Sequence, residues 1–236
     1  MPDERPGVVT VTRRVAARVK SRGPKEVLGL ATERVRELVL SHDKLIIHVR
    51  DTGEGAISSP DDLLFKRADA SDGPAYARDI GTDSARSFRS RLTGGTECFL
   101  VITHGLVVHA TWATLSSAWM RELQRYFCPP PGDAYVYESF TRPEVRGRGV
   151  YPLALRSIAK WASERDVKRL WVGVEHDNPP SLKAVQKAGF ARAFEVSFDR
   201  RFGRLTVHPP VGSRAGDCAW CLSETPCSGK KLPPKG

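Results

Sequence analysis

The sequence has no apolar run that approaches the roughly 20 residues a membrane-spanning helix needs. The N-terminus lacks the apolar segment of a secretory signal peptide. There are also no internal repeats, which excludes solenoids and related repeat architectures. From these absences we expect a cytoplasmic protein without a membrane span.

Acidic residues are fewer than basic residues. The sequence has 27 Asp and Glu against 37 Lys and Arg, which gives a formal net charge of +10 at pH 7. Half of this excess lies in residues 1–50. Such a balance favours anionic partners, whether coenzyme phosphates, nucleic acid or an anionic membrane surface. In other respects the composition, 40% hydrophobic over 236 residues, is typical of a globular domain with appendages.

Cysteine is scarce, and three of the five residues lie in the Pro-, Gly- and Lys-rich segment near the end of the sequence. Cys98 lies in an apolar strand pattern and Cys128 beside a proline run, so neither indicates an extracellular disulfide framework. The Cys-x-x-Cys spacing of Cys218 and Cys221, with Cys227, suits zinc or a redox pair. We favour free thiols in a flexible tail over a zinc site at these three cysteines, and we predict no metal ligand elsewhere.

The most informative stretch is a basic, glycine-spaced turn. It follows a β-rich run over residues 135–141 and leads into a helical pattern that begins near Val150. Backbone N–H groups at a helix start lack intrahelical partners and carry the positive end of the helix dipole. Glycine lets the backbone approach a ligand closely, and arginine adds positive charge. A phosphate site is therefore predicted at Arg146, Gly147, Arg148, Gly149, Val150 and Tyr151.

A strand pattern over residues 169–175 and an Asn178-x-x-Ser181 helix ending in Gly189-Phe190 follow this turn. In this order and separation, the elements resemble the GCN5-related N-acetyltransferase (GNAT) family over about residues 62–206. In that family, an Arg/Gln-x-x-Gly-x-Gly/Ala turn after the fourth strand cradles the pyrophosphate of acetyl-coenzyme A. Here the last turn position is Tyr151, and Val185 stands where many members carry a tyrosine acid.

The resemblance implies an α/β (α+β) fold, with a mixed, mostly antiparallel central sheet flanked by helices and an N-terminal helical arm. We divide the chain into a basic arm (1–60), an acetyltransferase domain (61–208) and a flexible Cys-, Pro- and Lys-rich tail (209–236). The arm contains an amphipathic helix over 24–41 and a strand over 45–49, and we expect it to pack against the main domain. Its alternative role, contact with RNA or a membrane surface, is disfavoured by its acidic residues.

Within the main domain, the patterns predict a first strand over 63–68, two short helices split near Gly81 and a hairpin over 98–114. Residues 116–127 fit a helix or a strand and loop equally well. Two β-rich runs after Phe190, over 192–198 and 202–207, complete the sheet.

The resemblance also implies acetyl-CoA as a co-substrate. Backbone N–H groups near Phe140 and Thr141 would hold the acetyl carbonyl, the turn would hold the pyrophosphate, and Asn178 would contact the pantetheine arm. The expected coenzyme-binding set is therefore Phe140, Thr141, Arg146, Gly147, Arg148, Gly149, Val150, Tyr151 and Asn178.

Acetyl transfer to an amine needs a group that accepts the amine proton. Glu138 is our first candidate, as the only carboxylate in its strand, and an ion pair with an arginine such as Arg142 is an equally weighted alternative. Glu175 and His176, after the next strand, are further candidates. The leaving thiolate, with a pKa near the value of about 8.5 for cysteine, needs no dedicated acid. If one is used, the candidates are Tyr137 and Tyr135.

Three functions remain open. The first is acetyl transfer to a primary amine of a small molecule, with an amino sugar as first guess, because the turn followed by Tyr151-Pro152 resembles relatives encoded among bacterial surface-polysaccharide genes. The second is a GNAT-fold transferase that uses aminoacyl-tRNA as donor, which the basic arm permits. The third is a non-catalytic coenzyme-binding protein, which Val185 favours slightly. A homodimer is compatible with each.

Overall fold

A computed structural model describes residues 41–53, 62–93, 95–216 and 221–227. These residues form an eight-stranded sheet, a three-stranded sheet and four α-helices. No helix in these ranges is long and apolar enough to cross a membrane. The strands are β1 (Ser41–Asp51), β2 (Leu64–Arg67), β3 (Thr96–Thr103), β4 (Leu106–Thr114), β5 (Ala118–Met120), β6 (Arg125–Phe127), β7 (Ala134–Thr141), β8 (Arg169–Glu175), β9 (Ala191–Arg201), β10 (Arg204–Val207) and β11 (Leu222–Ser223), and the helices are α1 (Gly73–Asp79), α2 (Ala85–Arg91), α3 (Val150–Ser163) and α4 (Pro179–Lys187).

The main sheet has the order β10-β9-β1-β8-β7-β4-β3-β2, and the small sheet has the order β11-β6-β5. Within the described chain, β7 and β8 are the one parallel pair of the main sheet, and the other neighbours are antiparallel. Parallel neighbours need a crossover connection, which α3 supplies. The predicted mixed, mostly antiparallel sheet flanked by helices is confirmed.

Helix α3 covers one face of the main sheet, where Leu155, Ile158 and Ala159 pack with Val136 and Val172 in one buried cluster. On the other face, the β5–β6 hairpin buries Met120 and Phe127 against Tyr135 and Trp171. Helices α1 and α2 pack on the same face as the β5–β6 hairpin, around Trp112 of β4. The strands β7 and β8 therefore run through the middle of a three-layer core.

The first strand, the two short helices and the hairpin predicted in the main domain are confirmed as β2, α1, α2, β3 and β4. Helix α2 begins at a serine cap, because Ser84 Oγ accepts a hydrogen bond from the Ser87 N–H at 3.1 Å. The ambiguous residues 116–127 form the β5–β6 hairpin. Burial alternates there, since Ala118 and Met120 are buried and Trp119 is exposed, which is the period of a strand.

The prediction that residues 45–49 belong to a separate arm is wrong. Strand β1 lies inside the main sheet, between β8 and β9. Ile47 has no exposed surface and pairs with Gly173 on one side and Phe194 on the other. Five consecutive buried residues in β1 fit a strand covered on both faces. The predicted helix before β1 and most residues between β1 and β2 lie outside the described residues, so the boundary near residue 60 and the three-part division stay predictions.

The prediction of a flexible tail is wrong for residues 209–216 and 221–227. Val211 exchanges two backbone hydrogen bonds with Glu195, both 2.9 Å long. Leu222 and Ser223 form β11, which pairs with β6, and Cys221 has no exposed surface. Composition alone made this segment look unable to pack, but an edge strand of the small sheet satisfies its backbone groups. The other tail residues lie outside the described ranges.

Two expectations about cysteine are also wrong. Cys128 and Cys227, 99 residues apart, form a disulfide with a Cα–Cα distance of 5.9 Å, and Cys221 is also disulfide-bonded. Cys98 is a buried free thiol. The pairing of β11 with β6 brings the distant segments together, which local sequence patterns do not encode. Cys218 lies outside the described residues.

The position of β1 predicts a large effect for Ile47→Ala. Removing a fully buried isoleucine side chain should lower the free energy of unfolding by about 2–5 kcal/mol. The control is Leu64→Ala on the edge strand β2, where the side chain is 60% exposed. That variant should change stability by less than about 1 kcal/mol. Urea denaturation of both variants makes the comparison, and equal losses would contradict the central placement of β1.

Candidate functional site

Strands β7 and β8 part soon after they begin. Their parallel pairing covers residues 134–136 of β7 and 170–172 of β8. Beyond Val136, β7 continues to Thr141 and pairs with β4, while β8 continues to Glu175 and pairs with β1. A gap therefore opens between the two strands, with one backbone edge of β7 along it. Because the strands are parallel, both of their C-terminal ends lie at the same end of the sheet.

A β-bulge lies at this gap. Trp112 pairs with Tyr137 and Ala110 with Phe140, so that two residues of β7 face Thr111 alone. Such a bulge re-aims side chains and disrupts the ladder locally. The bulge residue Glu138 has a positive φ of 48°, and its side chain is 52% exposed.

The carboxylate of Glu138 forms an ion pair with Arg91 at the end of α2, with an Nη2–Oε2 distance of 2.7 Å. Burial lowers the pKa of Arg91, but the charge of Glu138 and a hydrogen bond with Tyr137 outweigh this effect and raise it above its ordinary value. The same guanidinium lies 4.0 Å from the centre of the Trp112 ring. The structure thus shows an arginine partner for Glu138, although it is Arg91 rather than Arg142.

Two tyrosines of β7 stack with their ring centres 6.0 Å apart. Burial raises the pKa of Tyr137, against the opposing effect of its hydrogen bond with Arg91. Burial also raises the pKa of Tyr135, whose hydroxyl contacts the backbone of Gly173. Both hydroxyls therefore keep their protons at neutral pH. Tyr137 precedes the bulge and is partly exposed, which makes it the better placed of the two proton donors.

The turn after β7 is exposed from Arg146 to Gly149, and α3 begins directly behind it. Gly147 and Gly149 have φ values of +80° and +79°, and a Cβ at either position would meet no atom within 4 Å. Gly149 is the N-cap of α3, and no side chain caps this helix. In the described chain, no acceptor is found for the backbone N–H groups of Gly147, Gly149, Val150 and Tyr151. Free donors, an open backbone and the positive end of a 14-residue helix are what a pyrophosphate requires, so these residues fit one.

The arginines of this turn are held near it. Arg146 Nε donates to the Thr141 carbonyl at 3.1 Å, and Arg148 Nη2 lies 3.3 Å from Asp62 Oδ2. Tyr151 points under the turn, because its ring centre lies 5.4 Å from that of His109 and its hydroxyl contacts Ser139. The bulky last residue of the motif therefore leaves the exposed part of the turn open.

The other sequence-predicted residues have structural partners. Asn178 caps α4, with its Oδ1 accepting from the Ser181 N–H at 3.3 Å. Phe140 is buried, and Thr141 Oγ1 lies 2.7 Å from His109 Nδ1. Val185 has no exposed surface and belongs to the core. Contacts of Phe140, Thr141 and Asn178 with a coenzyme stay predictions.

A cavity of about 300 Å³ lies at the end of β8. Glu175 and His176 line it, whereas Glu138 does not. The sequence did not single out the other lining residues, because all but Asp177 come from the start of β1, the β5–β6 loop and β9, which only the fold brings together. They are Ser41, His42, Asp43, Lys44, Arg121, Glu122, Asp177, Phe198 and Arg200.

A buried histidine beneath the turn was also missed. His109 has no exposed surface, and its Nε2 has no hydrogen-bond partner in the described structure. Burial lowers its pKa to about 3. In the sequence, His109 is marked only by its position in an apolar strand pattern. Any core residue of a strand has such a position. The neutral ring contacts Thr141 and Tyr151, and so it supports the end of β7 and the start of α3 together.

Comparison with known proteins agrees with this geometry. Residues 92–190 match the family described as the acetyltransferase (GNAT) family. The fold is similar to that of a GCN5-related N-acetyltransferase from Sphaerobacter thermophilus, with a TM-score of 0.52 and 12% identity over 73% of this chain and 56% of that one. A GNAT-family acetyltransferase from Colwellia psychrerythraea gives a TM-score of 0.48 and 16% identity, over 67% of this chain and 56% of that one. The aminoglycoside 6'-N-acetyltransferase AAC(6')-Ih from Acinetobacter baumannii gives a TM-score of 0.43 and 15% identity, over 55% of this chain and 90% of that one. No curated protein matches.

The fold is thus that of the acyl-CoA N-acyltransferases. Segment 92–190 is similar to the GNAT acetyltransferase family, whose members use acetyl-CoA. The chain spans 56% of the length of each of the first two solved structures, so its own activity and substrates are matters of proposal.

The low pKa of His109 predicts a loss of stability in mild acid. Below pH 6.5 the unfolded chain gains a proton at this histidine, while the folded chain stays neutral until about pH 3. The free energy of unfolding should therefore fall by roughly 1.4 kcal/mol for each unit that the pH drops below 6.5. His109→Gln should reduce this dependence between about pH 5 and 6.5, above the range in which most carboxylates titrate, while the part due to His48, whose pKa burial also lowers, should remain. Urea denaturation across this range is the measurement. The exposed His104→Asn is the control and should keep the wild-type slope; a wild-type slope in His109→Gln would contradict the assignment.

Proposed function

We propose that this chain is an acyl-CoA-dependent N-acetyltransferase that transfers an acetyl group from acetyl-CoA to a primary amine of a small molecule. The observation that carries the proposal is the exposed, uncapped turn at the end of β7, directly beside the gap between β7 and β8. An anion site and a slot along a strand edge are the two features that a phosphorylated, elongated co-substrate needs.

In this proposal the pyrophosphate binds the backbone N–H groups of Gly147, Gly149, Val150 and Tyr151, with Arg146 and Arg148 adding charge. The acyl arm lies in the gap, where the amide of Asn178 contacts it. The backbone N–H groups near Phe140 and Thr141 hold the acetyl carbonyl. Donors placed in this way would stabilise the oxyanion that develops when the amine attacks.

The acceptor would bind in the cavity at the end of β8. Its volume of about 300 Å³ suits a small molecule, and the lining carboxylates Asp43, Glu122, Glu175 and Asp177 attract an ammonium group. The cations Lys44, Arg121 and Arg200 also line it, so the acceptor is polar rather than a simple alkylamine. An amino sugar has an amine and many hydroxyls, and it is the first acceptor class to test.

For the general base, two carboxylates compete. Glu175 lines the acceptor cavity with His176, which places it beside the amine of the proposed complex. Glu138 lies at the bulge, but Arg91 already holds its carboxylate, and proton transfer to it would compete with that ion pair. We therefore place Glu175 first and Glu138 second. Tyr137, which keeps its proton, can protonate the departing thiolate.

The first prediction concerns the turn. Both Gly149→Ala and Gly149→Glu add strain at a positive φ, by about 1–2 kcal/mol, so the alanine variant is the matched control. Gly149→Glu also places an anion at the pyrophosphate site and should abolish acetyl-CoA binding, while Gly149→Ala should keep measurable affinity. Isothermal titration calorimetry on folded variants measures the difference. Equal affinities would eliminate the turn as the coenzyme site.

The second prediction separates the bases. Glu175→Gln should keep acetyl-CoA affinity but lower turnover by roughly 10²-fold or more at neutral pH, and part of the loss should return as rising pH frees more amine. Glu138→Gln should have a much smaller effect. Steady-state kinetics with a panel of amines, including amino sugars, gives the comparison, with His176→Ala as a third variant. The reverse order would assign the base to Glu138, and wild-type rates in all three would indicate a water-mediated route.

Native mass spectrometry of the purified protein tests the two other functional classes. Retained acetyl-CoA followed by amine acetylation supports the proposed enzyme. Co-purifying RNA would favour the aminoacyl-tRNA donor, and bound coenzyme without turnover on any amine would favour a non-catalytic role.

A further inference from the structure

Three cysteines that the proposed reaction does not use meet at the base of the β5–β6 hairpin. Cys128 directly follows β6, and its backbone N–H donates to the Cys221 carbonyl at 2.7 Å. Its sulfur is bonded to that of Cys227. Cys221 precedes β11, has no exposed surface and is itself disulfide-bonded. The backbone contact and the disulfide thus bring three cysteines together from two segments that are distant in sequence.

We propose that, once reduced, Cys128, Cys221 and Cys227 bind one zinc ion. A dithiol reductant supplies two electrons and two protons to the Cys128–Cys227 disulfide, which becomes two thiols while the dithiol becomes a disulfide. The disulfide of Cys221 is reduced in the same way. Zn²⁺ then binds the sulfurs as thiolates, and the displaced thiol protons pass to solvent.

The Cys128–Cys227 pair requires little movement. Sulfurs that are bonded in the oxidised chain need only separate to roughly 3.8 Å to share a tetrahedral zinc ion with bonds of about 2.3 Å. Cys221 is held beside them by the backbone hydrogen bond to Cys128 and by the pairing of β11 with β6. Neither of these contacts involves a sulfur atom, so reduction leaves both in place.

Burial favours metal binding over free thiolates. Cys221 lies in the core cluster around Phe127, where an unpaired thiolate would be costly and a cation offsets its charge. With the disulfides intact, the described residues contain no group of three metal ligands. The site therefore exists in the reduced chain alone, and oxidation releases the metal.

Such a site would fasten residues 221–227 to β6. The loop that joins β5 to β6 supplies Arg121 and Glu122 to the cavity at the end of β8. Zinc would thus stabilise one wall of that cavity in place of the disulfides. The inference stands without the proposed transferase activity, because it depends on the cysteines alone.

The full chain, reduced with a dithiol and then freed of it, is titrated with Zn²⁺ and separately with Co²⁺. We expect one zinc per chain by metal analysis, and a Co²⁺ spectrum with sulfur-to-metal charge-transfer and tetrahedral bands. The unreduced protein should bind none. No zinc on the reduced chain, or equal binding by the oxidised chain, would overturn the proposal.

The variants Cys128→Ser, Cys221→Ser and Cys227→Ser should each lose the charge-transfer band or most of the bound zinc. Cys98→Ala is the control, since this buried thiol lies in β3 in a different cluster, and it should keep full stoichiometry. Loss of zinc from Cys98→Ala to the same extent would overturn the site. Because a serine variant can misfold, the reduced wild-type protein provides a second measurement. Added Zn²⁺ should raise the midpoint of its thermal unfolding, and a chelator should reverse this rise. An unchanged midpoint would count against the site.

Discussion

The parallel pairing of β7 and β8 lasts for three residues, and the arrangement of the candidate site depends on how it ends. Parallel neighbours require a crossover, so α3 must begin near the end of β7, which places a helix N-terminus and its free N–H groups at that end of the sheet. The bulge at Glu138 then removes part of β7 from regular pairing with β4. The phosphate-sized turn, the gap and the bulge all follow from the separation of β7 from β8.

Such an opening in the middle of a sheet needs support from both faces. On the α3 face, the neutral His109 contacts Thr141 and Tyr151 and so ties the last residue of β7 to the first turn of the helix. On the other face, Arg91 holds Glu138 and covers the Trp112 ring. Burial of His109 makes the folded state sensitive to acid, because its ring resists protonation. The contacts that His109 makes with Thr141 and Tyr151 and this sensitivity to acid both follow from its burial.

The walls of the cavity come from four separate parts of the chain, which are residues 41–44, 121–122 and 175–177 and the β9 residues Phe198 and Arg200. Strand β1 inserts between β8 and β9, so that residues 41–44 lie beside the end of β8. The segment after β10 returns to pair with β9 and β6, and a disulfide joins it to Cys128. Of these two segments, the start of β1 lines the cavity where the proposed acceptor binds. Differences between members of one fold class are expected at such sites, because function depends on the site and not on the fold.

Except over residues 116–127, the sequence by itself determined the order of elements from β2 to β10, because their apolar periods, glycines and prolines are local signals. It also located the turn at 146–151, since two glycines and two arginines before a helical pattern form one local motif. Only the tertiary structure decided that β1 lies inside the sheet, that Glu138 pairs with Arg91, and that Cys128 meets Cys227. Each of these contacts joins residues far apart in the chain, and a linear pattern carries no information about which distant segments become neighbours.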